Sequence, residues 1–418
     1  MNKPWWREPT RAQWSSFLAA WVGWVLDAFD FTIYLLVMKH IATEFDVGLA
    51  AVSGSLTLTL LVRMGGGAVA GWMADRWGRR LPLMLSLVWF AVFDAAIYFA
   101  PTFVWVVVLR TLFGFGMGAE WTAGTTLAME SWPARSRKIA SGLLQAGWPV
   151  GFLLAAVAAW VVVPAWGWRP LFLIAAVPAL LAIPIRFFVP DHKPARREAG
   201  QAGPSWSELW EPKVRRLILL GSLVMALGFV AYYGLTAHYS LMLMSDHGLA
   251  ATSAFKHVII FNLGMLVGVV VIGMVAERRG VVLALVAPCL LMVPALPLYV
   301  GWVPGLLGVG AFLGGALGVG YSGVTPVLLT SLFPEHVRAR AVGAVYHAGA
   351  LVAAFVPTVI AVLSEQTSLG LPASIALVVG LGLVTLAGAV LVLRRDLVPD
   401  EAVASARLVA PDDGAAAA

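Results

Sequence analysis

Apolar stretches of about 20 residues follow one another along most of this chain, with short polar breaks between them. That is the length a helix needs to cross the hydrocarbon core of a bilayer, and a succession of them excludes a water-soluble domain. Twelve are read, at about 17–40, 50–73, 82–100, 103–126, 138–162 and 169–189, then 216–243, 254–275, 281–300, 304–331, 339–363 and 371–393. Composition agrees, with 60% hydrophobic and only 12% charged residues. The first stretch lacks a small-residue cleavage site and exceeds a signal-peptide core, so it is expected to be a retained span. Cys289 is the only cysteine and lies inside an apolar span. Disulfides and a cysteine-based metal site are therefore excluded, and no metal or other cofactor is expected.

Net charge is +6, yet its placement points to lipid rather than nucleic acid. Of the 28 Lys and Arg, about 23 fall in the N-terminus, in every second connection and in the C-terminal tail, which is the positive-inside pattern. Arg63 and Arg110 lie within spans, and Lys39, Arg169 and Lys256 remain for the opposite side. Both termini are expected in the cytoplasm, in a multi-pass monomer of the inner membrane. The chain divides into an N-terminal segment (1–16), a six-helix bundle (17–189), a basic loop (190–215), a second bundle (216–394) and a tail (395–418). The tail is poor in aromatics and is expected to be disordered.

The two bundles repeat one pattern. GWMADRWGRR (Gly71 to Arg80) follows the second span and GMVAERRG (Gly273 to Gly280) the eighth, an offset of about 202; ESWPARSRKIASG (Glu130 to Gly142) matches SLFPEHVRARAVG (Ser331 to Gly343) at about 201. Two matches at one offset imply a duplicated six-span unit. Within these loops Gly71 permits close helix approach, and Asp75 suits a neighbouring helix N-terminus. Arg76, Arg79 and Arg80 can reach carboxylates on adjoining loops, Glu130 is a natural partner for Arg135 and Arg137, and Gly78, Glu277, Arg278 and Arg338 complete the repeated set. Such contacts would form in one conformation and break in another. The plainer account is that these arginines only fix topology.

Charge inside a span is expensive and marks function. The first bundle holds Asp27 and Asp30, Arg63, Asp94, Arg110 and Glu120; the second holds no comparable acid or base, only His238, His347, Asn262 and tyrosines such as Tyr346. A rise of 1.5 Å per residue puts Asp27, Asp30, Arg63 and Asp94 near one depth. Asp27 and Asp30 share a helix face. Four acids against two arginines leave excess negative charge, and low dielectric with a neighbouring like charge favours a neutral acid. At least one of Asp27, Asp30, Glu120 and Asp94 is thus expected to carry a proton. The alternative is that Asp27 or Asp30 pairs permanently with Arg63, and Asp94 with Arg63 or Arg110. An arginine fork also binds a carboxylate bidentately, so Arg63 and Arg110 are candidate anion clamps. His238, Asn262, Tyr346, His347 and Gln145 are further candidate substrate contacts; a histidine bonded to a neighbouring helix, and helix packing by Tyr346 and His347, are the plainer accounts.

Parallel six-helix repeats with a site between them are the architecture of major facilitator transporters. GWMADRWGRR resembles that superfamily's signature after the second helix, and RTLFGFGMG (Arg110 to Gly118) its fourth-helix motif. LDAFDF resembles the D-G/A-F-D motif of metabolite:proton symporters. The N-terminal run from Pro4 to Phe31, ESWPARSRKIASG and VVPAWGWRPLF resemble bacterial sialic acid transporters, while LTLLVRMGGGAVAGWMADRWGRR and ASGLLQAGWPVGFLLA resemble lactate and pyruvate permeases of the same sialate:proton symporter family. The resemblance implies an all-α, twelve-span symporter that imports a small organic monocarboxylate with protons by alternating access. LTAHYS (Leu235 to Ser240) keeps only a fragment of the lactate permeases' seventh-helix motif, which leaves the acid open. Other readings are an aromatic-acid or dicarboxylate carrier, uniport, efflux antiport, or a transport-inactive sensor. GWPVG (Gly147 to Gly151) has its proline one place late for the antiporter motif, and no nucleophile–base pair or phosphate loop speaks for an enzyme.

Overall fold

The computed structural model describes residues 5–77, 80–118, 128–129, 132–176, 206–303 and 305–409, and these contain helices and no strand. The first bundle contributes α1 (Arg11–Glu44), α2 (Leu49–Trp77), α3 (Arg80–Ala96), α4 (Phe103–Met117), α5 (Arg137–Gln145) and α6 (Gly147–Trp166). The second contributes α7 (Pro212–Thr236), α8 (Tyr239–Ser245), α9 (Ala251–Arg279), α10 (Val281–Tyr299), α11 (Leu307–Ala316), α12 (Thr325–Leu332), α13 (Glu335–Ala353), α14 (Val356–Gln366) and α15 (Gly370–Val409). Nine stretches of the described residues are long and apolar enough to cross a membrane, and Met84–Phe99 and Phe103–Met117 are shorter apolar helices. The span expected at 169–189 is described only as far as 176, where 170–176 is helical.

Several spans are broken. Span 5 is α5 with α6, span 7 is α7 with α8, span 10 is α11 and α12 joined by a 3-10 segment (Gly320–Val324), and span 11 is α13 with α14. Irregular backbone at membrane depth is tolerated where protein or a cavity surrounds it. The last helix runs on to Val409, so 395–409, where the sequence leads one to expect disorder, continues α15.

Why α1 starts where it does is local chemistry. Thr10 accepts a hydrogen bond from the Gln13 backbone N–H at 3.3 Å, and the Gln13 side chain accepts from the Thr10 N–H at 2.7 Å, a reciprocal cap that satisfies two orphan donors.

Helix pairs cross at glycines, and the crossings repeat between the halves. A Cβ on Gly114 (α4) would collide with the Thr59 backbone of α2, and one on Gly66 with the Phe115 backbone. About 201 residues on, Gly315 faces the Phe261 backbone and Gly268 the Ala316 backbone in the same way. Removing the side chain lets backbones touch, which is how helices associate where lipid supplies no hydrophobic drive. A second repeat lies at the start of α5 and α13: Arg137 Nη2 donates to the Trp132 carbonyl, and Arg338 Nε to the Phe333 carbonyl, each at 3.1 Å.

Gly114→Val should overpack the α2–α4 crossing and cost about 1–3 kcal/mol, seen as a lower unfolding midpoint in detergent. Gly54→Val, where nothing lies within 4 Å of the added Cβ, should leave the midpoint unchanged.

Candidate functional site

The glycine crossings bring the intramembrane charges together. Gly147 and Gly151 at the start of α6 pack on the backbone of α1 at Trp21 and Val25, which fixes the segment carrying Asp27 and Asp30. Both aspartates are 1% exposed. Arg63 on α2 meets Asp27 with Nη2 to Oδ2 at 3.5 Å. Its guanidinium lies 5.6 Å from the Tyr346 ring centroid, and its Nε has no hydrogen-bond partner among the described residues.

Arg110 on α4 is placed differently. It meets Asp94 on α3 at 3.0 Å and sits 4.6 Å from the Tyr34 ring centroid and 4.2 Å from that of Phe113. Neither partner of this pair has any exposed side-chain surface. Asp30 lies within electrostatic range of both pairs, interacting with Asp94, Asp27 and Arg110. Among the described residues neither of its oxygens has a hydrogen-bond partner. The structure thus separates the two arginines that the sequence leaves interchangeable.

A cavity lies between the halves. Trp24, Arg63, Gln145 and Trp148 line it from the first half; Tyr232, Tyr233, Tyr321 and Tyr346 are among its lining from the second. Arg63 is the one charged residue among the described residues that line it, and Arg110 and Asp94 do not reach it. Gln145 is 8% exposed and its Oε1 has no partner among the described residues. The aromatic wall is continuous: Trp24 and Trp148 centroids are 4.5 Å apart, Tyr232 and Tyr233 5.2 Å, Phe229 and Tyr346 5.2 Å. Across the cavity, Trp148 Nε1 donates to the Tyr232 hydroxyl at 2.5 Å. Applying the repeat offset, Arg63 corresponds to Met265 and Gln145 to Tyr346, and all four line the same space. One half supplies the charge, the other an apolar counterpart.

Three candidate contacts lie elsewhere. His238, fully buried at the break between α7 and α8, bonds Ser53 Oγ of α2 at 2.9 Å. The Asn262 amide donates to Val258 of its own helix at 2.8 Å. His347 packs where a side chain on Gly67 would stand. None of the three lines the cavity, so His238 is the helix-bonded histidine of the plainer account.

The halves meet on both faces. Opposite the loop-motif face, Lys39 Nζ donates to the Met244 carbonyl at 3.1 Å, Ser240 Oγ to Leu35 at 3.3 Å and Thr57 Oγ1 to Ala354 at 2.9 Å. Thr57 and Thr358 hydroxyls are also 2.9 Å apart. On the loop-motif face Ser141 Oγ donates to the Gly323 carbonyl at 2.9 Å, and Gly142 faces the Val269 backbone. Arg135 pairs with Glu8 of the N-terminal segment at 3.0 Å. Its sequence-expected partner Glu130 lies outside the described residues, as do Gly78, Arg79 and Glu120. Gly71, Asp75 and Arg76 fall in the last turns of α2 and Arg80 opens α3, while Glu277 and Arg278 are exposed at the end of α9.

The sequence profile of the Major Facilitator Superfamily matches residues 20–300. The chain belongs to the Major Facilitator Superfamily. It is a multi-pass membrane transporter with that superfamily's twelve-helix fold, and not an enzyme. It is 30% identical over 374 residues to a probable 4-methylmuconolactone transporter of Cupriavidus pinatubonensis, covering 87% of each chain. It is 28% identical to the cis,cis-muconate transport protein of Acinetobacter baylyi (85% of this chain, 89% of the relative) and 26% identical to the sialic acid transporter NanX of Escherichia coli (88% and 92%). The fold is similar to that of the proton:xylose symporter XylE, with a TM-score of 0.75 at 17% identity over 92% of this chain and 96% of that one.

Sequence reasoning misses Trp24, Trp148 and Phe229 as cavity residues, because an aromatic in an apolar span carries no mark of which side it faces. A signal existed at Trp148: it stands inside GWPVG, next to a helix break and three residues from Gln145.

A transporter of this superfamily must part these seams in turn. Cysteines replacing Thr57 and Thr358 should form a disulfide on oxidation, stop uptake by the reconstituted protein almost completely and release it on reduction. Oxidised protein that transports at the reduced rate would show that this seam stays closed throughout.

Proposed function

We propose that this transporter imports small organic carboxylates together with protons, and that Arg63 is the anion clamp. The observation that carries this reading is the unequal placement of the two arginines. Both arginines keep donors without a partner among the described residues, Nε on Arg63 and Nε and Nη2 on Arg110, but Arg110 is enclosed by Asp94 and two rings away from the cavity, whereas Arg63 lines the cavity beside a long contact to Asp27. A guanidinium bonded at 3.5 Å by one carboxylate oxygen has donors left for a second carboxylate, and its fork fits both oxygens.

Proton coupling follows from electrostatics. A substrate carboxylate on Arg63 competes with Asp27 for the same positive charge. Asp27, Asp30 and Asp94 already exceed Arg63 and Arg110 by one charge; the substrate carboxylate widens that excess to two, and desolvated like charges are costly. Taking up a proton relieves the excess. Asp30 is the acid best suited to hold it, because it has no hydrogen-bond partner among the described residues. Neutralisation then allows the loaded halves to rock about the cavity. The named cargoes of relatives support an acid substrate, and the proton coupling in the name of XylE supports the coupling ion. The aromatic wall, together with relatives named for muconate and methylmuconolactone, favours an unsaturated or ring-bearing acid over lactate or pyruvate. With positive residues inside, the loop-motif face is cytoplasmic and the membrane is the inner one.

Uptake in proteoliposomes tests this. With an inward proton gradient the wild type should accumulate cis,cis-muconate, and Arg63→Lys should raise KM roughly 10- to 100-fold, the worth of a charge-assisted hydrogen bond. Asp30→Asn should lose gradient-driven accumulation yet keep counterflow exchange. Accumulation surviving in Asp30→Asn, or an unchanged KM in Arg63→Lys, would contradict the assignment.

A further inference from the structure

The contact between Trp148 and Tyr232 joins the two halves inside the cavity, and its direction is fixed by chemistry. An indole N–H donates and has no lone pair to accept with, whereas a phenol hydroxyl does both. The Tyr232 oxygen therefore accepts from Trp148, and its own proton must point to a different acceptor. Trp148 is well anchored to deliver that instruction. Its ring lies 4.5 Å from Trp24 and 5.9 Å from Phe31, both on α1, and α6 is held against α1 at Gly147 and Gly151. Tyr232 presents its ring edge-on to Trp148 at 5.9 Å and to Tyr233 at 5.2 Å. Tyr232, Tyr233 and Tyr346 line the same cavity as Arg63, so the hydroxyl proton and the anion clamp act on one space.

We propose that Trp148 is a positioning residue for the substrate: its N–H orients the Tyr232 hydroxyl so that the hydroxyl donates to the carboxylate held by Arg63. This rests on the reading of Arg63 as the clamp. A carboxylate offers two oxygens, one for Arg63 of the first half and one for Tyr232 of the second. The bound acid then becomes the piece that links the halves, in the order Arg63, carboxylate, Tyr232, Trp148. In the empty cavity the phenol keeps the indole bond and turns its own proton towards Thr236, the other side-chain partner within its reach. This arrangement recognises the carboxylate end, and the aromatic wall meets the remainder of the molecule.

Tyr232→Phe removes the hydroxyl alone, and Trp148→Phe keeps an aromatic ring while removing the N–H together with the indole's second ring, so a double-mutant cycle separates the relay from a simple tie between helices. In proteoliposomes, Tyr232→Phe should raise KM for cis,cis-muconate roughly 10-fold or more, as loss of a hydrogen bond to a charged group does. Trp148→Phe should raise it a few-fold, since the hydroxyl stays but loses its orientation, and the double variant should match Tyr232→Phe alone. Trp148→His, which keeps a ring donor, should restore KM towards the wild-type value and serves as the second arm if Trp148→Phe does not reconstitute. Equal effects of both single variants on maximal rate with KM unchanged would assign the pair a structural tie and overturn the proposal, as would additive effects in the double variant. If wild type accumulates the acid and Arg63→Lys raises KM while Tyr232→Phe does not, the relay alone fails; if wild type takes up no carboxylate, the clamp reading fails first.

Discussion

A charge buried in a membrane bundle is tolerable only beside its counter-charge, and the first half of this protein is organised around two such pairs. Arg110 and Asp94 form the short one, at 3.0 Å, sealed by Tyr34 and Phe113. It fastens α3 to α4 and does not reach the cavity. Arg63 and Asp27 form the long one, at 3.5 Å, on the cavity wall. The same two residue types thus make a fastener in one place and a contact open to competition in the other. Asp30 lies within range of both, where any change in the balance of charge bears on it.

The scaffold that holds these pairs is symmetric, but its chemistry is not. Glycine crossings recur at Gly66 and Gly268, Gly114 and Gly315, and the arginine-to-carbonyl bonds of Arg137 and Arg338 have the same length. Those features concern backbone approach and helix starts, which both halves need alike. At the cavity the correspondence ends: Arg63 lines it in the first half and Met265 in the second. Duplication supplied two equivalent bundles; the charge that can hold an anion stands in only one. The second half answers with aromatic rings and hydroxyls, which close the cavity without adding a competing charge.

Much of this is legible in the sequence because membranes punish errors. Span length, the positive loops and the repeated motifs follow from hydrocarbon thickness, topology and duplication, so the fold reads directly. The rarity of charge inside spans likewise singles out Asp27, Asp30, Arg63, Asp94 and Arg110. Which of them pair is less legible, since depth along a helix leaves the angle around its axis undetermined. Arg63 and Arg110 are equal candidates by depth, and only packing turns one towards the cavity and buries the other. Neutral polar residues are harder still. His238, Asn262 and His347 look like ligands in an apolar span, yet each makes its contacts away from the cavity. Trp148 looks like packing and carries the cross-cavity bond.

The central claim is that an acid on Arg63 draws a proton into the first half. Proton movement recorded by a pH-sensitive dye in lightly buffered proteoliposomes, with no gradient imposed, tests it most directly. Addition of cis,cis-muconate outside should make the external medium alkaline as substrate and protons enter together, with the signal abolished by an uncoupler. Entry of labelled muconate without any proton movement would contradict the account.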